Sequence, residues 1–288
     1  MKKIMQFLFS VKNVDGYKIY TIFGIKVRKN SKNYSLLESL FSDLKTQIMA
    51  SKVNYNLVKY KNCNNGKNVI IIGGGETLKF YQNPSKSTDN IFVGINRAYR
   101  FSENIKLDYL FCQDRFYDYN DLFGFINYNQ SNCKKFIGHI TVSNTPYRYR
   151  INQFVQVPNS ELYILNNKKM KEIPLNITLE PFADLCGTVF SAIQFILYTN
   201  PQKIYLCGFD CNKSHLFEKD ESCIDLSYQY NSWLKIKKFI VDNTLNIELI
   251  SVNPVGLKGV FKDVYTQSYV DTHPELLKEN IEIIGKEF

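Results

Sequence analysis

Asn68-Val69-Ile70-Ile71-Ile72-Gly73-Gly74-Gly75-Glu76-Thr77-Leu78 is the stretch on which the reading of this chain turns. After Asn68, the four unbroken apolar residues Val69 to Ile72 match a strand covered on both faces, the habit of parallel sheets in α/β proteins. Three glycines then let the backbone turn sharply and approach another group closely. A helix starting behind them would present free N–H groups to an anion, with Thr77 either capping that helix or bonding a phosphate oxygen. The run is neither G-x-G-x-x-G, because position 78 is Leu, nor a Walker A loop. The plain alternative is a tight strand-to-helix turn that holds no ligand.

Downstream the same rhythm repeats. Ile91 to Ile95, Leu107 to Cys112, Lys135 to Ile140, Glu161 to Leu165, Lys203 to Cys207 and Asn246 to Val252 read as strands. Thr188 to Tyr198 and Trp233 to Asn243 read as helices, and the tail from His273 as a short helix and turn. Strands alternating with helices predict an α/β fold with a doubly wound, mostly parallel sheet, a Rossmann-like or GT-A-like nucleotide-binding domain. In such sheets ligands lie beyond the carboxyl ends of the strands. Upstream, Tyr17 to Arg28 alternates like a β-hairpin about Phe23-Gly24 after an Asp15-Gly16 turn signal, and Tyr34 to Ser51 has helical spacing. Residues 1–60 are therefore expected to form a small hairpin-and-helix appendage, and residues 61–288 the nucleotide-binding domain.

Composition narrows the class. The chain has 288 residues, 44% of them hydrophobic, enough for a sizeable core. Its net charge of +9 predicts an anionic partner, without the patterns of nucleic-acid binding modules. The 7 cysteines are odd in number and form no C-x-x-C pair, which suits reduced thiols in the cytoplasm. The opening Met1-Lys2-Lys3 and the apolar residues to Val11 lack the length and cleavage site of a signal peptide, and no run approaches the ~20 apolar residues of a spanning helix.

Chemistry is sought where strands end. Gly94-Ile95-Asn96-Arg97 and Cys112-Gln113-Asp114-Arg115 offer amides and arginines to a nucleotide. Asp184-Leu185-Cys186-Gly187-Thr188 precedes the apolar helix and suits a helix start facing a ligand. His215 follows Gly208-Phe209-Asp210 in a polar loop, where an imidazole can act as a general base near neutral pH. Ordinary loop polarity is the bland reading of all of these. No D-x-D triplet occurs, so the paired carboxylates that hold a metal against a nucleoside diphosphate are missing from the sequence.

In this order, the motifs resemble those of the bacterial lipooligosaccharide sialyltransferases, which use CMP-activated sialic acid. Ile70 to Leu78 resembles the family's opening strand and turn, and Asn96-Arg97-Ala98-Tyr99 its second strand exit. Gln113 stands at its third exit, and Cys186-Gly187 matches its S-G pair. Tyr205-Leu206-Cys207-Gly208-Phe209-Asp210 is similar to its Y-L-S-G-I-D, and Ser251-Val252-Asn253-Pro254 to its last strand and proline turn. The likeness spans roughly residues 67 to 257. Gly74 and Glu76 replace the family's Asn and Pro, and Asp225 to Tyr230 contains no His where the family has its base.

The resemblance implies a glycosyltransferase of bacterial surface polysaccharide assembly, moving a sialic acid-like sugar from a CMP-sugar to a glycan hydroxyl with inversion and without a metal or other cofactor. Gly73, Gly74, Gly75, Thr77, Asn96, Gln113, Gly187, Thr188 and Asp210 would bind the nucleotide. The family's base does not carry over; His215 is the substitute candidate for it, and Tyr228 and Tyr230 are the candidates to donate to the leaving phosphate. The expected location is the cytoplasm, with peripheral contact to the acidic inner face of the cytoplasmic membrane, where a glycan- or lipid-linked acceptor resides. Nucleic acid is not expected as a partner, and a homo-oligomer is allowed. The alternatives are another nucleotide-dependent transferase, related to pterin pyrophosphokinases or flagellin-glycosylating proteins, or a catalytically silent nucleotide binder.

Overall fold

The computed structural model describes residues 9–14, 17–22, 25–30, 35–101, 105–113, 119–128, 132–140, 157–169, 172–212, 215–217 and 226–284. Asp15-Gly16, Phe23-Gly24, Asp114-Arg115, Asp225 and the side chain of His139 lie outside these residues.

A nine-stranded, wholly parallel sheet organises the chain. Its strands are β4 (Asn68–Ile72), β5 (Asn90–Ile95), β6 (Tyr109–Cys112), β7 (Lys134–Ile140), β8 (Ser160–Lys169), β9 (Phe182–Asp184), β10 (Lys203–Cys207), β11 (Glu248–Val252) and β12 (Lys262–Val264). They lie in the order β12-β11-β10-β4-β5-β6-β7-β8-β9. Side chains alternate across a strand, so each apolar run feeds two cores. Val69, Ile71, Phe111, Phe136, Ile204 and Leu206 point to one face. There they meet Phe190 and Phe195 of α3 (Thr188–Thr199) and Trp233 and Ile236 of α4 (Tyr230–Asp242). Ile70, Ile72, Leu110, Cys112, Tyr205 and Ile250 point to the other face. They meet Leu78 and Ala98 of two 3₁₀ turns and Phe125 of α2 (Tyr119–Asn127).

These crossovers obey one hand. Steps outward from β4 to β7 pass over the second face, and the step from β10 to β11, in the opposite direction, passes over the first. That is how right-handed connections wind a sheet on both sides. The fold is thus the expected doubly wound α/β type. Two details differ. The glycine turn leads into a single 3₁₀ turn, Glu76–Phe80, and Asn96–Phe101 forms another, so neither exit opens an α-helix. Strands β9 and β12, three residues each, are too short to show alternation.

Upstream, β1 (Phe9–Val14), β2 (Tyr17–Ile22) and β3 (Ile25–Asn30) form an antiparallel meander, adding one strand to the expected hairpin. Helix α1 (Ser35–Val53) follows and passes into a 3₁₀ stretch, Asn54–Tyr60, whose Leu57 joins the first core. Asn54 fastens this stretch to the large sheet. Its Nδ2 donates to the carbonyls of Ile177 and Glu180, both at 2.9 Å, and its Oδ1 accepts from the Ile164 N–H at 2.8 Å. Asn54 is fully buried, so Asn54→Ala leaves three backbone groups without that partner. The expected cost is about 2 kcal/mol, read as a lower urea midpoint with an unchanged m-value.

Candidate active site

Strand order reverses between β4 and β10, since β4 leads outward to β9 while β10 to β12 lie on its other side. This switch point is where ligands of open α/β sheets bind. Here the two exits are packed almost backbone to backbone. Gly73 N–H donates to the Cys207 carbonyl and Gly75 N–H to the Gly208 carbonyl, both at 2.8 Å. A Cβ on Gly73 would overlap the Gly208 carbonyl oxygen, and one on Gly75 would stand 2.5 Å from the Asp210 carboxyl carbon. Two of the three glycines therefore answer a need of the exits themselves. Thr77 does likewise, giving its N–H (3.0 Å) and its hydroxyl to the Asp210 carboxylate. Burial pushes the Asp210 carboxyl above the ordinary range, while the hydrogen bonds from Thr77 pull it back.

Gly74 differs from its neighbours. A Cβ there would find ordinary space, 3.6 Å from the Phe217 ring and 3.8 Å from His215 Nδ1. Residues 215–217 lie over it as a short strap. Leu216 N–H donates to the Gly74 carbonyl at 2.8 Å, and Arg100 Nη1 donates to the Phe217 carbonyl at 3.2 Å. The strap is held from beneath by an ion cluster. Asp121, in the first turn of α2, is 2% exposed and accepts from Arg97 Nε at 2.6 Å, from Arg100 Nη2 and from Tyr99 Oη at 3.0 Å. Gly124 makes room for the Tyr99 ring, where a Cβ would come within 2.5 Å. His215 is half-buried at this junction. Burial lowers its imidazole below the ordinary histidine value; Asp210 opposes that shift and Arg97 adds to it. A neutral imidazole beside the glycine turn can accept a proton.

A second group gathers at the exit of β6, two strand spacings or about 10 Å from β4. Gln113, 8% exposed, accepts through Oε1 from Ser191 Oγ at 2.8 Å, in the first turn of α3, and from Tyr163 Oη at 3.4 Å. Gly187 is the N-cap of α3 and brings no side-chain cap; Thr188, the helix's first residue, is buried. The Cys186 carbonyl accepts from Gln229 Nε2 at 3.2 Å and from Tyr228 Oη at 3.4 Å, tying this helix start to the entrance of α4. Backbone strain marks the same edge: Cys186 (φ 64°) and Cys211 (φ 50°) adopt the left-handed region that cysteine rarely visits.

Of the residues singled out in the sequence, Gly73, Gly74, Gly75, Thr77, Asp210 and His215 meet at the switch point. Gln113, Gly187, Thr188 and Tyr228 meet at the start of α3. Asn96 stands left-handed (φ 51°) at the β5 exit between the two groups. Tyr230 opens α4, half-exposed, at the rim. Reasoning on the sequence missed Asp121, met Tyr99 only inside the motif at the second strand exit, and gave Arg100 no role. The signal that could have found them is the acid and glycine of Tyr119-Asn120-Asp121-Leu122-Phe123-Gly124 beside a run with two arginines, Arg97 and Arg100. Among the described residues no three His, Cys, Asp or Glu side chains are grouped to hold a metal ion, and no helix is long and apolar enough to cross a membrane. No protein-family model matches the chain, and no curated protein matches it either.

Proposed function

We propose that this chain is a glycosyltransferase of bacterial surface polysaccharide assembly that transfers an acidic sugar from a CMP-activated donor to a glycan hydroxyl, with inversion and without a metal. The observation that carries this reading is the placement of His215 over Gly74, half-buried and with its neutral form favoured, at the switch point of the sheet. The acceptor oxygen attacks the anomeric carbon as the bond to the CMP phosphate breaks and CMP departs with its electrons. His215 takes the acceptor proton. Asn96 and Gln113 face the nucleotide along the strand exits. The first turn of α3 at Gly187-Thr188 meets the anionic end of the donor, and Tyr228 and Tyr230 at the rim donate to the leaving phosphate. Thr77 and Asp210 keep the glycine turn in place instead of touching the donor. The reaction belongs in the cytoplasm, beside a membrane that carries the acceptor.

A thermal-shift panel of CMP, CDP, UDP, GDP, ATP and NAD, each with and without Mg²⁺, tests the reading. A ligand at 100 times its dissociation constant adds about 2.7 kcal/mol to stability. Stabilisation by CMP or CDP without metal supports it, and CMP release from a CMP-activated acidic sugar then completes it. A response only to a purine nucleotide with Mg²⁺ defeats it in favour of another nucleotide transferase. Binding of CMP with no release from any donor leaves a silent binder.

A further inference from the structure

The chain's net charge of +9 is concentrated at one end. Residues 1–33 hold eight lysines and arginines against one acid, Asp15, so seven of the nine net charges lie before α1. The remainder, which includes the whole nucleotide-binding sheet, is close to neutral. The basicity therefore belongs to the segment before α1, with five of its eight cations on the three strands, rather than to the candidate active site.

Register orders these charges. Across β1, β2 and β3 the rows Phe9–Ile22–Ile25 and Val11–Tyr20–Val27 are wholly apolar, and alternation puts both on one face. The next row on that face is Asn13–Lys18–Lys29, in which two lysines are directly opposed partners. Like charges directly opposite each other destabilise a sheet unless something neutralises them. The other face carries Lys12 and Arg28 on either side of Ile19, and Lys26 opposite Thr21. Lys12 is exposed, and Ile19 and Thr21 are half-buried.

We propose that this three-stranded sheet docks the chain on an anionic lipid bilayer, its two apolar rows at the headgroup boundary and the Lys18–Lys29 row at the lipid phosphates. An apolar field edged by cations is the pattern of interfacial binding, in which buried apolar area and attraction to anionic lipid act together. Each lysine near such a surface adds about 1 kcal/mol, or roughly fivefold in partition. Duplex nucleic acid would satisfy the charges and leave the two apolar rows with nothing to meet. The inference does not depend on the transfer reaction.

Co-sedimentation of the full chain with vesicles tests it, using phosphatidylcholine alone and phosphatidylcholine mixed with phosphatidylglycerol, at low and high salt. The expected result is binding to the mixed vesicles only, lost at high salt and weakened about thirtyfold in the Lys18→Gln/Lys29→Gln variant. That variant removes the opposed charges, so its melting temperature should not fall, and the salt arm needs no variant at all. Failure to bind the mixed vesicles, equal binding to both kinds, or unchanged partition of the variant overturns the proposal. So does capture by duplex DNA without vesicle binding. A vesicle result of either kind leaves the nucleotide panel unaffected, so the two ideas fail separately.

Discussion

Gly73→Ala is expected to be among the most damaging single methyl additions in this chain, costing about 3 kcal/mol and roughly 5 °C in melting temperature. The reason lies in the partner rather than in glycine's own conformation, since its φ is not in the left-handed region. The new Cβ meets the carbonyl oxygen of Gly208, a backbone atom that can withdraw only by parting β4 from β10. Parting them would also stretch the bonds Gly73 N–H to Cys207 and Gly75 N–H to Gly208. Gly74→Ala supplies the control one residue away, because its Cβ meets only ring atoms at 3.6 Å and beyond. Guanidinium unfolding of the two variants side by side decides the matter. Equal midpoints would show that the exits have more slack than their hydrogen bonds indicate.

The contrast between Gly73 and Gly74 also shows how far this chain can be read from its sequence. The strands that make the sheet were legible because burial on both faces leaves them as unbroken apolar runs, as in Val69 to Ile72 and Ile204 to Cys207. Helix α3 was legible for the same reason, since almost every residue of it is buried. The glycine turn was legible as a turn, but the role of each glycine was not. Gly73 and Gly75 are set by Gly208 and Asp210, some 135 residues further on, and nothing local announces that contact. Helix α2 escaped notice because exposed Phe123 and buried Phe125 blur its apolar stripe, and with it went Asp121, the anchor of Arg97 and Arg100. The helix expected behind Gly75 is a 3₁₀ turn that ends at Phe80, four residues before Pro84. A reading built on local period sees elements well and sees contacts between distant loops poorly.

His215→Gln is expected to lower CMP release and sugar transfer by about a hundredfold or more, with little change in melting temperature at pH 7.5. Glutamine keeps the backbone bond from Leu216 to Gly74 and fills much of the same space, yet cannot take a proton. The pH dependence separates a base from a mere contact. Burial depresses the imidazole in the folded chain below its ordinary value of 6.5, so it stays neutral at pH 7 and the rate should fall on an acid limb below that ordinary value. Stability has a matching sign: the unfolded chain binds the proton first as pH drops, so the stabilising share of a neutral His215 is present above about 6.5 and is lost as pH falls through the folded value. In His215→Gln both limbs should vanish together, the kinetic one read from initial rates between pH 5 and 8 and the thermodynamic one from urea midpoints over the same range. A variant that keeps full activity with an unaltered pH–rate profile would remove His215 from the chemistry and leave the strap over Gly74 as a structural clamp alone.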